Sequence, residues 1–250
     1  MERYTPGDSP SVTAFMARRT LASHGAFFRP FLWPGARVLD CGCGPGSITA
    51  GLAGCVAPGG TVSGIDVNRD QVEIARQRLQ GLQGVPGVEL RVANIYDLPF
   101  GDAQFDVVFS HALFEHLVDP QRAAREVFRV LKPGGVVGIR SPDWSGVLAG
   151  PSTPELDLAL QHYADVQAAN GGNLRVGRTL GAIVGSAGFS RIRIAARYEC
   201  YAPAAVIGEY LARQIARAEH AAALRAWYAS PDAFFAQSWC EVVAAKVTEG

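Results

Sequence analysis

Three glycines alternate in Asp40-Cys41-Gly42-Cys43-Gly44-Pro45-Gly46-Ser47, directly behind the apolar pair Val38-Leu39. Two β-formers running into a carboxylate, then residues without side chains, read as a strand that turns sharply into a helix. Such a turn leaves backbone amides open to a small ligand. The spacing is G-x-G-x-G, and Ser47-Ile48 follow, so the dinucleotide pattern G-x-G-x-x-G is not met. A second carboxylate, Asp66, closes Gly64-Ile65-Asp66 and is followed by Val67-Asn68. It lies about twenty residues beyond the loop, the offset at which an acid can grip ribose hydroxyls. Asn94, in Val92-Ala93-Asn94-Ile95, places a side-chain amide where an adenine amino group could be read. Proton chemistry has three candidates: His111, His116 and Asp143. Imidazoles titrate near neutrality, and a carboxylate can orient one.

These residues need a scaffold that brings separate strand ends together. Arg37 to Cys41, Thr61 to Asp66, Val88 to Ala93, Phe105 to Ser110 and Val136 to Arg140 read as strands. Helices are expected between them, over Gly46 to Ala53, Arg69 to Gln80 and Pro120 to Leu131, the last stopped by Lys132-Pro133-Gly134-Gly135. Strands alternating with helices predict an α/β fold with right-handed crossovers and a mostly parallel sheet. Ligands of such sheets sit outside the carboxyl ends of the strands. A helical segment from about residue 10 to 30, capped by Ser9 or Ser11, precedes the first strand. Beyond Pro142 the pattern changes. A loop to Gly150, helices over Pro154 to Ala169, Thr179 to Ala187 and Pro203 to Ala229, and strands at Arg191 to Ala195 and Trp239 to Val247 are expected. The two late strands, split by a helical insert, suggest an antiparallel edge with the insert over the sheet's carboxyl end.

Bulk properties narrow the classes. The chain has 250 residues, 48% hydrophobic and 18% charged, with equal numbers of basic and acidic side chains. That length holds one large α/β domain. A net charge of zero with no basic stripe argues against a nucleic-acid partner. No apolar run suits a membrane span. The first residues lack an apolar signal segment, and five cysteines suit reduced thiols, so a cytoplasmic protein is expected. Cys41-x-Cys43 has no second pair, so no metal site is expected.

With the three cofactor segments in order, the chain resembles the class I S-adenosylmethionine-dependent methyltransferases. It looks closest to the ubiquinone and menaquinone biosynthesis methyltransferase group, of methyltransferase type 11. Further matches are Phe105-Asp106-Val107-Val108-Phe109-Ser110, Phe114-Glu115-His116-Leu117, Arg129-Val130-Leu131-Lys132-Pro133-Gly134-Gly135 and Ser186-Ala187-Gly188-Phe189. The resemblance covers residues 36–140 strongly and the remainder weakly. It implies a Rossmann-like, seven-stranded, mostly parallel sheet with an antiparallel edge strand and helical lid insertions. Residues 1–35 would form an N-terminal helical flap, 36–141 the cofactor-binding core, and 142–250 the substrate-side helices and last two strands.

The resemblance also implies roles. Asp40 and the loop Gly42, Cys43, Gly44 and Gly46 would hold the amino-acid end of S-adenosyl-L-methionine. Asp66 would take the ribose hydroxyls, with Val67 and Asn68 flanking the adenine and Asn94 and the Ile95 amide facing its edge. Ser110 and His111 would lie near the sulfonium. The group often carries an acid where Asn94 stands. The product would be S-adenosyl-L-homocysteine, and the acceptor a small molecule methylated at O, N or C. His116 is the first candidate base, His111 the second, and Asp143 could assist a histidine or serve as a turn acid. Aromatic residues of the late segments, such as Trp144, Tyr163 and Tyr210, could line an apolar acceptor pocket or pack a core. Tyr4 and Arg18-Arg19 could belong to a flap over the cofactor. A nicotinamide-dependent reductase and a protein-directed methyltransferase remain as alternatives; Ser110-His111-Ala112-Leu113 lacks the Asn/Asp-Pro-Pro-aromatic signature of the latter. The protein would be a monomer or a homodimer.

Overall fold

The computed structural model describes residues 9–80 and 87–247. Tyr4 lies outside the described residues. The expected N-terminal helix is three short pieces: α1 (Pro10–Met16), α2 (Leu21–His24) and a 3-10 turn at Ala26–Phe31. The cause is capping. Ser9 accepts the Val12 amide and starts α1, while Thr20 accepts the Ser23 amide and restarts the chain as α2.

The core strands are β1 (Arg37–Cys41), β2 (Thr61–Asp66), β3 (Val88–Val92), β4 (Phe105–His111) and β5 (Leu131–Pro142). Helices α3 (Ser47–Val56), α4 (Arg69–Gln80) and α5 (Pro120–Val130) connect them. All four adjacent pairs among these strands are parallel, in the spatial order β3-β2-β1-β4-β5. The order reverses between β1 and β4, which creates the crevice where ligands of open α/β sheets bind. β1 and β4 are apolar runs because both faces are covered: Val38, Leu39, Val107, Val108 and Phe109 have no exposed surface. β5 starts five residues before the expected strand. Leu131 pairs with Phe105 and Val136 with Val107, so the Lys132–Gly135 turn is a bulge within the strand.

The second half departs further from the sequence reading. The expected loop contains β6 (Leu148–Gly150), and the long helix expected over 203–229 is two helices, α8 (Ala205–Ala212) and α9 (Ala218–Tyr228). α6 (Pro154–Ala169) stands as expected, and α7 (Leu180–Ser186) is slightly shorter than expected. The late strands are much longer: β7 runs Ser190–Tyr201 and β8 Phe234–Ala245. β8 runs antiparallel between β5 and β7, and its first residues pair with β6. The sheet thus has seven long-range strands plus the three-residue β6, with its antiparallel member at the β7 side.

The length of β7 and β8 has a structural use. Their inner halves complete the sheet core, where Val242 and Ala244 pack with β4 and β5. Their outer halves floor a second apolar core, in which Tyr201 and Phe235 meet Leu156, Ile207, Leu224 and Trp227 of α6, α8 and α9. Phe15 of α1 joins this second core, so the N-terminal segment and the late helices form one cover beyond the strand ends.

Candidate functional site

A cleft opens at the carboxyl ends of β1, β2 and β4, walled by Asp40, the Gly42–Gly44 loop, Asp66, Asn68 and His111. The loop is more self-contained than the sequence suggests. The Gly42 and Cys43 amides both donate to the Ile65 carbonyl, the Gly44 amide donates to Asp66 Oδ2 at 3.0 Å, and the Gly46 amide donates to the Cys43 carbonyl. These amides hold the turn rather than standing open. The glycines serve shape instead. At Gly46, φ is +76° and an added Cβ would lie 2.9 Å from the Ala75 side chain of α4.

Two carboxylates face this cleft. Asp40 is buried, and Thr49 Oγ1 donates to its Oδ2 at 2.7 Å. Burial pushes the Asp40 carboxyl up to about 7, against the Thr49 hydrogen bond and helped by the neighbouring Asp66 charge. Burial also raises Asp66, opposed by the amides of Asn68 and Gly44 that donate to it. The Val67 amide also holds this carboxylate, and a carboxylate's two oxygens together can accept more than these three bonds. The Cys41 and Cys43 thiols are held well above their ordinary value by burial, which keeps them neutral.

The remaining cofactor candidates are placed unequally. Val67 and Asn68 line the cleft beside Asp66. Ser110 is buried one layer below, donating to the Cys41 carbonyl at 3.1 Å. Asn94 is exposed at the end of β3, where its Oδ1 accepts the Tyr96 amide, and Ile95 is buried under it. Neither Asn94 nor Ile95 is among the residues that wall the cleft.

The acid–base candidates separate more sharply. His111 is buried, its ring 5.0 Å from that of His24 and 4.9 Å from that of Trp239, and neither ring nitrogen has a hydrogen-bond partner among the described residues. Burial and the nearby Arg19 and Arg140 hold its imidazole well below the ordinary value, so it is neutral. His116 Nδ1 lies 2.7 Å from Gln167 Nε2, and burial with Arg19 lowers its imidazole to about 3. Asp143 does not meet a histidine. Its carboxylate holds Arg178 through both oxygens and accepts the Ser145 amide. Burial pushes it up, but the Arg178 guanidinium outweighs that and leaves it below the ordinary carboxylate range.

Glu115, not singled out as a candidate base on sequence, is the better placed acid. It is buried, accepts the Ser141 hydroxyl at 2.9 Å, and burial pushes its carboxyl up to about 7 against that bond. Two further residues not singled out on sequence line the cleft: Met16 of α1 and Gln71 of α4, whose Nε2 donates to Thr13 Oγ1 at 3.0 Å and ties α1 to α4. Of the two arginines expected in a flap, Arg19 reaches the cleft. The Phe114-Glu115-His116 run was visible; what it lacked was any sign that β5 would bring Ser141 against Glu115.

A second cavity adjoins the first. It lies between Phe15, Glu115, Trp144, Tyr163, Tyr210 and Trp239. Arg19, Ala112 and His116 line both spaces. The donor set suits an adenosyl cation. The buried Asp40 and the half-buried Asp66 complement positive charge and hydroxyl groups. Ile48 and Leu113 offer apolar walls, and Gln71 Oε1 and the His111 nitrogens are buried polar atoms lacking partners among the described residues.

The comparisons with known proteins agree with this geometry. A family model described as Methyltransferase domain matches residues 39–139. An uncharacterized methyltransferase of Schizosaccharomyces pombe is 33% identical over 71% of this chain and 65% of its own length. A ubiquinone/menaquinone biosynthesis C-methyltransferase of Vibrio campbellii is 39% identical over 41% of this chain and 39% of its own. A demethylmenaquinone methyltransferase of Lactobacillus johnsonii is 31% identical over 50% and 49%. The chain thus spans about half the length of the curated relatives it matches. Among solved structures, a SAM-dependent methyltransferase from Aquifex aeolicus superposes with a TM-score of 0.59 at 20% identity, covering 96% of this chain and 100% of that one. A Haemonchus contortus phosphoethanolamine N-methyltransferase, solved with S-adenosylhomocysteine, gives 0.61 at 20% identity, covering 89% and 52%. The nicotinamide alternative has no support among these matches. Residues 39–139 belong to the methyltransferase domain family, and the chain carries the fold of the class I S-adenosylmethionine-dependent methyltransferases.

Proposed function

We propose that the protein methylates a small organic molecule, with S-adenosylmethionine in the β1–β2–β4 cleft and the acceptor in the adjoining aromatic cavity. One observation carries this reading: the two spaces meet at Arg19, Ala112 and His116, beyond the end of β4. When bound, S-adenosylmethionine would supply a methyl carbon activated by its positively charged sulfur, which an acceptor lone pair would attack in line while the carbon–sulfur bond breaks and neutral S-adenosylhomocysteine leaves. The protein's part is to orient the acceptor and exclude water. Asp40 and Asp66 bind through charge and hydroxyl contacts, and Val67 and Asn68 flank the base. The cover from α1, α6 and α8 keeps the acceptor cavity dry.

Where the acceptor must lose a proton, Glu115 takes it, and Ser141 fixes the carboxylate's direction. A carboxyl raised to about 7 is matched to proton transfer near neutrality, whereas an imidazole lowered to about 3 is a weak base. His116 and His111 instead shape the passage as neutral rings, and Asp143 braces the turn after β5. The test is calorimetry with S-adenosylhomocysteine on wild type and Asp66→Asn. Binding weakened about tenfold or more by the substitution supports the assignment. Equal affinity of the two proteins sinks the ribose site, and absence of binding to wild type sinks the reading.

A further inference from the structure

We propose that β7 pairs edge to edge with β7 of a second copy of this chain, antiparallel about a two-fold axis through Ala196, so that the two sheets join into one. The inference stands apart from the methyltransferase reading and needs neither donor nor acceptor.

Backbone comes first. Among the described residues, β8 is the one strand paired with β7, so β7 has a free outer edge. The direction of its backbone groups follows from β8. The Ser238 carbonyl accepts the Asp143 amide, and Lys246, just past the strand, exchanges bonds with Gly134 and Gly135 of β5. Even-numbered residues of β8 therefore turn toward β5, and odd-numbered ones toward β7. The pairing sets odd on odd, from Val243 on Arg193 to Phe235 on Tyr201. That leaves Ile194, Ala196, Tyr198 and Cys200 with their amides and carbonyls at the outer edge. Between Arg193 and Tyr201 the strand has no Pro, no Lys and no bulge, the usual guards of an open edge.

Side chains come second. Ile194 is 62% exposed and Tyr198 53%, and Ala196 and Cys200 on the same face are exposed as well. Ile194 lies over Gly181 of α7 and otherwise faces outward. Apolar side chains at every second position of a free edge match another strand of the same kind. The opposite face carries the charges. Arg193 lies over the Phe31 ring at 5.8 Å, Arg197 meets Glu241 at 3.2 Å, and Glu199 meets His24 at 3.0 Å. Burial pushes the Glu199 carboxyl up, but the His24 hydrogen bond and the nearby positive charges outweigh it, so Glu199 stays ionised.

The two faces together select a register. Outward-bonding residues must meet outward-bonding residues, so the two-fold axis passes through a residue. With the axis at Ala196, Ile194 stands opposite the partner's Tyr198, Arg193 opposite the partner's Glu199, and Arg197 opposite the partner's Ala195. Moving the axis to Ala195 sets Arg193 against the partner's Arg197, and moving it to Arg197 sets that arginine against itself. Apolar and opposite-charge pairs in direct opposition favour a pairing, and like charges oppose it. The contact also closes, because each copy spends its β7 edge on the other. A strand from an unrelated peptide would find the apolar face but not this symmetric match of charge.

The test is sedimentation equilibrium of the full chain over a concentration series reaching about 100 µM. Wild type is expected to approach twice the chain mass. Ala196→Pro removes an outward amide and no bond to β8, and Ile194→Lys places a charge on the apolar face. Each is expected to weaken dimerisation by roughly tenfold or more while the melting temperature of the dilute protein stays near that of wild type. Should Ala196→Pro fail to fold, Ile194→Lys decides alone. The register has its own readout, in a Cys200→Ser background. Residues facing each other across the axis as a bonded pair lie about 5.5 Å apart at Cα, a span that a disulfide bridges. Ala196→Cys in that background is expected to form a covalent dimer with diamide, and Cys200→Ser alone is not. A wild-type chain that stays at the monomer mass overturns the proposal, as do variants that dimerise as wild type does. A dimer that Ala196→Cys cannot lock overturns the register.

Discussion

Ser141 donates its hydroxyl to Glu115 Oε2 at 2.9 Å, with both side chains buried where the sheet meets the helical cover. This hydrogen bond and the one from Glu115's own backbone amide together do not offset the loss of water around the carboxylate. The Glu115 carboxyl accordingly rises from 4.5 to about 7.

That rise sets a sign. The folded protein keeps the Glu115 proton at pH values where the unfolded chain has lost it. Stability therefore falls as pH rises from about 4.5 to about 7, and the full penalty stands above that window. The difference is on the order of 3 kcal/mol. Glu115→Gln, which can still pair with Ser141, is expected to melt higher than wild type above about pH 8 and alongside it near pH 4. The same variant is expected to lose about 10²-fold or more in turnover for acceptors that must be deprotonated. Parallel melting curves across the pH range, or undiminished turnover, would count against the assignment.

Asp40 gives a second pH dependence, in ligand binding. Its carboxyl is raised to about 7, and a cationic ligand binds best to its charged form. S-adenosylmethionine affinity is expected to rise with pH, by up to about tenfold per unit below 7, and then to level off. In Asp40→Asn the profile should be flat and the affinity low. Calorimetry at several pH values decides it, and a flat wild-type profile would refute it.

Gly46 carries a packing prediction. Its φ of +76° and the 2.9 Å separation that an added Cβ would have from Ala75 both oppose any side chain. Gly46→Ala is expected to destabilise the protein by about 1–3 kcal/mol in urea unfolding and to weaken S-adenosylhomocysteine binding. An unchanged midpoint would mean that the loop and α4 separate freely.

Asp143 is expected to act on stability alone. Its bidentate contact with Arg178 and its bond to the Ser145 amide hold the turn after β5. Asp143→Asn should cost about 1–3 kcal/mol of folding free energy. Turnover, measured where both proteins are folded, should stay within a few-fold of wild type. A loss on the order of 10²-fold would restore it as a proton-transfer group.

The first half of the fold was legible because its signals are local. Thr61 to Asp66 and Arg69 to Gln80 have the expected bounds, set by apolar runs, glycine turns and caps. β7 and β8 were underestimated because their outer halves are paired ladders without an apolar run that marks a strand. Tyr198, Glu199 and Cys200 find partners in Ser238, Gln237 and Ala236 only through tertiary pairing. The site divides in the same way. Asp40, Asp66 and the glycines sit at strand ends that the sequence announces. Glu115 acquires its environment from Ser141, and Arg19 from Trp239, across long separations in the chain. Asp143 was open on sequence between assisting a histidine and serving as a turn acid, because its partner Arg178 lies 35 residues further along the chain.

The glycine loop holds its shape through its own hydrogen bonds, to Ile65, Asp66 and Cys43. It does not need a ligand to become ordered. The entropy of fixing that turn is spent once, when the chain folds, and does not recur at each catalytic cycle. Exchange of spent donor for fresh donor can then proceed over a standing template, in a cleft whose other wall Met16 and Arg19 contribute.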